Sequence, residues 1–90
     1  MAEVRMRYSF YGDVQGVGFR YRALRLARQF QLTGWVRNEW DGSVSMEVQG
    51  QKFLIEEMVE RLRAGEIISV DRIEAEELPT LKEQSFSVKE

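Results

Sequence analysis

Val4-Arg5-Met6-Arg7-Tyr8-Ser9-Phe10 alternates apolar and polar residues without a break, and Gly12-Asp13-Val14-Gln15-Gly16-Val17-Gly18-Phe19-Arg20 follows almost at once. The alternation has the period of a half-buried strand, with Val4, Met6, Tyr8 and Phe10 on one face. At Phe19 the period changes. Phe19, Ala23, Ala27 and Phe30 recur at helical spacing with Leu24 beside them, while Arg22, Arg25 and Gln29 fall on another face. The stretch predicts a strand, a glycine-rich loop and a helix from about Phe19 to Phe30 that ends before Gly34.

Downstream, Trp35 to Trp40 reads as a second strand and Ser43 to Val48 as a third, with Asp41-Gly42 as a two-residue hairpin turn between them. Ile55, Met58, Val59 and Leu62 define a second helix, supported by Glu57 and Arg61 as an i,i+4 pair and stopped by a left-handed Gly65. Ser69 to Glu77 is strand-like, but Val70 and Ile73 are three apart and share a face only across a bulge. Phe86 and Val88 mark a short final strand. Strand, helix, strand, strand, helix, strand, with one short extra strand, is the order of an α+β, ferredoxin-like split βαβ sandwich. That arrangement is an antiparallel sheet with two helices on one face. Residues 1–90 read as a single domain without repeats or linkers. Tyr8, Phe10, Phe19, Phe30 and Trp35 are expected in the core, and Trp40 either lines a site or covers a sheet end.

The chain has neither cysteine nor histidine. Disulfides, thiolate nucleophiles, Cys/His metal sites and histidine general bases are all excluded. Fifteen acidic residues against 13 basic ones give a net charge of −2, so no global positive field draws the chain to nucleic acid or anionic membrane. No segment has the length and apolarity of a signal peptide or a bilayer span, which predicts a soluble, cytoplasmic protein. The acidic run Glu74-Ala75-Glu76-Glu77 reads as a solvated strand face and not as a metal site. Glu56 and Glu57 are expected to face water.

The fold hosts many unrelated activities, so function rests on sites. Gly12, Gly16 and Gly18 let the backbone curl closely around a ligand, and successive amides leading into a helix N-terminus form an anion site. Arg20, in the first helical turn, can aim a rigid fork of donors into the same concavity, which suits a phosphoryl group. Taken alone, the loop is equally an ordinary strand-to-helix turn with a solvated arginine. It is not a Walker A loop, since no Gly-Lys-Ser/Thr follows. It is not a dinucleotide fingerprint, since Tyr21 stands where the third glycine belongs. Asn38, near the hairpin turn, offers one acceptor and two donors and suits holding a water, although locally it also reads as a surface asparagine. Arg22, Arg25 and Arg28 read as structural or solvated.

Gly12-x-Val14-Gln15-Gly16-Val17-Gly18-Phe19-Arg20 and Gly34-Trp35-Val36-Arg37-Asn38-x-x-x-Gly42-x-Val44, closing with Gly50, resemble the two signatures of the acylphosphatase family. The resemblance runs from about Val4 to Val88. It implies that Arg20 binds a phosphoryl group together with the amides of Gln15, Gly16, Val17, Gly18 and Phe19, and that Asn38 positions the attacking water. The reaction it implies is hydrolysis of a small acyl phosphate to a carboxylate and inorganic phosphate, without metal or cofactor. Inorganic phosphate would act as product and inhibitor. Two departures are visible: Gly65 to Val70 lacks the prolines expected after that glycine, and Asp13 places a charge beside the loop, so its carboxylate should point outward.

This substrate class removes the need for histidine. The leaving carboxylate has an acid pKa of roughly 4 and departs unprotonated, and phosphoryl transfer rests mainly on positioning and charge stabilisation. Alkyl phosphates, with far more basic leaving groups, should be poor substrates. The rival readings are an anion-binding module without chemistry and a domain of a larger enzyme acting on carbamoyl phosphate, of which a free-standing domain is the simpler case. An RNA-binding sheet is disfavoured by the absent Lys/Arg-Gly-Phe/Tyr signature. A monomer is the expected state.

Overall fold

The computed structural model describes residues 2–65 and 68–90. β1 (Val4–Asp13) opens the chain as the alternation requires, with Tyr8 and Phe10 buried. α1 (Phe19–Gln29) buries Phe19, Ala23, Leu26 and Ala27 over the sheet, chiefly toward β2 and β5, and the Phe10 and Phe19 rings meet at 4.9 Å. Fully burying a side chain such as Phe10 contributes about 2–3 kcal/mol. β2 (Thr33–Asn38) and β3 (Val44–Gly50) form the hairpin. α2 (Lys52–Arg63) buries the expected Ile55, Met58, Val59 and Leu62, and its Glu57–Arg61 pair closes at 3.0 Å. β4 (Ser69–Leu78) and β5 (Phe86–Lys89) complete one five-stranded sheet of order β4-β1-β3-β2-β5. This is the ferredoxin-like α+β arrangement.

The sheet is mixed, where an antiparallel one was expected, because β5 runs parallel to β2. The cause is the path of the chain. β4 descends along β1 and ends opposite Arg5, at the sheet end where β2 begins. Residues 79–85 cross to β2 at that same end, where the Gly34 amide donates to the Ser85 carbonyl at 3.1 Å, so β5 must climb beside β2. The bulge in β4 is present: Tyr11 pairs with Arg72 and Gly12 with Val70, leaving Asp71 unpaired and turning both Val70 and Ile73 to the core.

Four local expectations are corrected. The hairpin turn is longer than Asp41-Gly42: the Glu39 amide donates to the Ser43 carbonyl at 2.8 Å and encloses Trp40, Asp41 and Gly42. β2 accordingly ends at Asn38 and Trp40 stands fully in solvent. Trp35 is not in the core. It lies on the sheet face away from the helices, with Lys89, Arg37 and Arg7 at 4.8, 5.2 and 6.0 Å from its ring. Gly65 is not left-handed, and α2 ends earlier, at Ala64, whose amide donates to the Glu60 carbonyl. Part of the stretch lacking prolines, residues 66 and 67, lies outside the described residues.

Arg5, placed by alternation on the solvated face, is only 1 % exposed. The segment 79–85 folds over it. Arg5 Nη1 lies 2.8 Å from a Glu83 carboxylate oxygen and its Nε 2.8 Å from Glu47, while Gln49 bonds both the amide and the carbonyl of Leu81. Burial alone would lower the guanidinium pKa, but hydrogen bonds to Glu83 and Glu47 outweigh it and hold the pKa above the usual arginine value. Among the described residues, no helix is long and apolar enough to cross a membrane.

Candidate active site

The site lies at the end of the sheet opposite Arg5, where β1 runs into α1 and β2 into the hairpin turn. Two buried apolar residues pin the connecting loop, Val14 before it and Phe19 after it. Between them Gly16 and Gly18 adopt φ of 75° and 80°, the left-handed region that side-chain-bearing residues avoid. A Cβ at either glycine would meet nothing within 4 Å, so backbone conformation, not space, demands glycine there.

Gly18 caps α1 without any side-chain hydrogen bond, and the first turn carries no acidic residue. Among the described residues, the amides of Gln15 to Tyr21 donate to no protein acceptor. Unpaired amides at a helix start carry partial positive charge, and here nothing in the described protein neutralises it. Asp13 is exposed, as expected from its sign.

Arg20 and Asn38 come together. Both line a hollow of about 230 Å³ whose walls also include Val14, Gly16, Gly18, Phe19 and Tyr21. Arg20 forms no ion pair among the described residues, so its donors are uncommitted. Asn38 closes β2, opposite Val44 in the ladder, and its side-chain oxygen is buried without a hydrogen-bond donor. Leaving such an acceptor unsatisfied costs about 1–3 kcal/mol.

Gln15 and Val17, the other residues expected in the loop, do not line this hollow through their side chains. The Gln15 amide group turns away and donates to the Glu39 carbonyl at 2.8 Å and the Ser43 carbonyl at 2.9 Å, tying the loop to the hairpin turn. Composition carries no signal for that bond, since it depends on a contact across 24 to 28 positions of sequence. The turn itself is held by Asp41, whose carboxylate accepts from the Ser43 hydroxyl at 2.6 Å and the Ser43 amide at 3.0 Å. The Ser43 hydroxyl and then its amide hold the Asp41 carboxyl below its usual pKa. The Ser45 hydroxyl and then Arg37 do the same for Glu39.

A second and larger hollow, about 410 Å³, adjoins the first across Gly18 and Tyr21 and takes in Val17, Arg22, Arg25 and Ile68. Sequence reading missed it, because Gly65 and Ile68, which follow α2 in the chain, line it together with residues of α1.

The family model for acylphosphatase matches residues 6–88. An acylphosphatase of Moorella thermoacetica is 48% identical over 65 residues, covering 72% of this chain and 70% of that protein. The crystal structure of acylphosphatase from Bacillus subtilis superposes with a TM-score of 0.90 at 32% identity, covering 97% of this chain and 99% of that one. The same fold recurs within a longer protein: HypF of T. kodakarensis matches 99% of this chain over 12% of its own, at 30% identity and a TM-score of 0.80. With the family model spanning nearly all of its length and full-length structural agreement, the chain belongs to the acylphosphatase family of hydrolases.

Proposed function

We propose that this chain hydrolyses small acyl phosphates, with the phosphoryl group held by Arg20 and the loop amides and the attacking water held by Asn38. The observation that carries this reading is that Asn38 and the uncommitted guanidinium of Arg20 line one hollow at the glycine loop. A water hydrogen-bonded to the side-chain amide group of Asn38 has a fixed lone-pair direction, which is what an in-line attack needs.

In this mechanism the water oxygen forms a bond to phosphorus while the bond from phosphorus to the acyl oxygen breaks. The electron pair leaves with the carboxylate, and the water's two protons end on phosphate and solvent. The carboxylate leaves without protonation, so a site lacking histidine suffices. Negative charge on the transferring group meets the Arg20 fork and amides already oriented by the glycine loop, so little reorganisation is needed. A carboxylate leaving group also explains the expectation of poor activity on alkyl phosphates, since among the described residues the hollow holds no histidine or carboxylic acid to protonate an alkoxide.

The test is hydrolysis of benzoyl phosphate by the wild type, Arg20→Ala and Asn38→Ala, with chelator present throughout. Arg20→Ala should lose roughly a thousandfold in kcat/KM and also lose inhibition by inorganic phosphate. Asn38→Ala should lose about a hundredfold in kcat while phosphate inhibition stays near wild type. A folded wild type that binds phosphate but leaves benzoyl phosphate intact would replace this reading with anion binding alone.

A further inference from the structure

Resting on the hydrolase reading above, we propose that Tyr21 sets the acyl preference of the site: its ring is the platform on which the acyl part of the substrate lies, and it selects flat, aromatic acyl groups over aliphatic ones. The assignment follows from what the other lining residues of the phosphate hollow are able to do. Gly16 and Gly18 have no side chain, and Val14 and Phe19 are 1 % and 2 % exposed and belong to the core. Arg20 holds the phosphoryl group in the reading above, and Asn38 holds the water. Tyr21 is the remaining described residue of the wall, and it is 65 % exposed. It follows Arg20 directly in the first turn of α1, so a substrate anchored by its phosphate brings its acyl group within reach of that ring.

The size and chemistry of the contact decide which acyl groups gain from it. At about 230 Å³ the hollow is smaller than the roughly 300 Å³ at which sites enclosing larger ligands begin. Tyr21 itself stands mostly in solvent, so the acyl group is touched on one side and open to water on the other. One-sided contact favours a flat group. An aromatic acyl ring is depleted of electrons by its carbonyl, and the electron-rich face of a tyrosine complements it in an offset stack. An acetyl group covers only a corner of the same ring. The contact forms when the substrate binds and persists through phosphoryl transfer, because the acyl ring takes no part in the bond that breaks. It is therefore uniform binding, which acts on KM and on kcat/KM but not on kcat.

The experiment compares benzoyl phosphate with acetyl phosphate on the wild type, Tyr21→Leu and Tyr21→Phe. Leucine keeps an apolar side chain and removes the ring, whereas phenylalanine keeps the ring and removes the hydroxyl. Tyr21→Leu should raise KM for benzoyl phosphate by about two- to tenfold, the range of one aromatic pair, with a smaller rise for acetyl phosphate and the loss confined to KM. Tyr21→Phe should retain the wild-type preference. An unmoved KM for benzoyl phosphate in Tyr21→Leu overturns the proposal, and so does an equal rise on both substrates. A fall in kcat alone also overturns it, since that would mark displacement of Arg20. A loss in Tyr21→Phe as large as in Tyr21→Leu does the same, by assigning the effect to the hydroxyl. Tyr21 lies outside the core, so neither variant removes packing that the fold needs. If benzoyl phosphate is not hydrolysed at all, calorimetric binding of benzylphosphonate against methylphosphonate still reads the platform. A tighter benzyl compound whose advantage disappears in Tyr21→Leu upholds it, and equal affinities in the wild type overturn it. The hydrolase reading would then fail separately.

Discussion

The side-chain amide of Gln15 donates to the carbonyl of Ser43 at 2.9 Å, and the same nitrogen reaches the carbonyl of Glu39 at 2.8 Å. The glycine loop and the hairpin turn are thereby held in register, and Asn38 is the residue immediately before that turn. Removing the bond should misplace Asn38 relative to Arg20 more than it unfolds the protein. Gln15→Ala is expected to lower kcat/KM for benzoyl phosphate by about ten- to a hundredfold. Its stability should fall by only about 1 kcal/mol, because both carbonyls keep a backbone donor. Gln15→Glu should be worse than Ala, since its carboxylate would face two carbonyl oxygens. Full activity in Gln15→Ala would show that the turn is held by other means.

At the other end of the sheet, Arg5 is the only link of its kind among the described residues, a fully buried cation tying the 79–85 segment to the sheet. Arg5→Met should cost about 2–4 kcal/mol in urea unfolding, since it leaves Glu83 without its cation and Glu47 with only Arg7, at 3.6 Å. Adding Glu83→Met should restore part of that loss. Phosphate inhibition should be unchanged in both variants, because the pair is a sheet length from Asn38; a changed inhibition constant would contradict that separation.

Acid should loosen the hairpin turn. Glu39 and Asp41 both have carboxyl pKa values depressed below their ordinary 4.5 and 3.8. Depressed carboxyls contribute stability that is present above the unfolded values and is lost as pH falls through the folded ones. Urea midpoints should therefore hold steady from pH 7 to about 5 and fall below about 4. Glu39→Gln should flatten part of that fall. An unaltered acid profile in Glu39→Gln would mean that other carboxylates carry the effect.

α1 ends in a motif that normally calls for glycine. The Leu32 amide donates to the Ala27 carbonyl at 2.8 Å and the Gln31 amide to the Arg28 carbonyl at 3.2 Å, with Gln31 itself at φ 57°. A left-handed side-chain-bearing residue costs about 1–2 kcal/mol, partly offset by the smaller entropy of its unfolded state. Gln31→Gly is expected to raise stability by about 0.5–1 kcal/mol without touching activity. A lowered urea midpoint would show that the Gln31 side chain is itself a stabilising contact.

Much of this could be read in the sequence, and the misses have physical causes. Alternation placed Tyr8 and Phe10 correctly because one face of β1 meets only helices. It misplaced Arg5 because a crossing segment covers the other face, and periodicity reports a residue's side, not what lies over that side. Trp35 was expected inside on hydrophobicity alone, yet its ring serves as a platform for Arg37 and Lys89. Val70 and Ile73 conflicted with a regular strand, and that conflict predicted the bulge. Arg20 and Asn38 were singled out by the family resemblance and not by local pattern, which read them also as a solvated arginine and a surface asparagine; the fold lines one hollow with both. Arg22 was read as structural or solvated, and its Nη2 does hold the Arg61 carbonyl at 2.8 Å, a bond across 39 positions that helical spacing does not reveal.

The pairing of β5 with β2 runs from Gly34–Phe86 to Arg37–Lys89 and stops one residue short of Asn38. Without β5, the strand that carries Asn38 would offer a free row of amides and carbonyls, a template for another chain to add to. Four residues of parallel strand thus act as a guard against intermolecular strand exchange, set on the side of the sheet that leads to the site. The opposite edge, β4, needs no such guard: Arg72, Glu74, Glu76 and Glu77 line it with exposed charge. β5 is itself the edge on that side, but a four-residue edge ending in Lys89 is a poor template, so one edge of the sheet is kept short and the other charged.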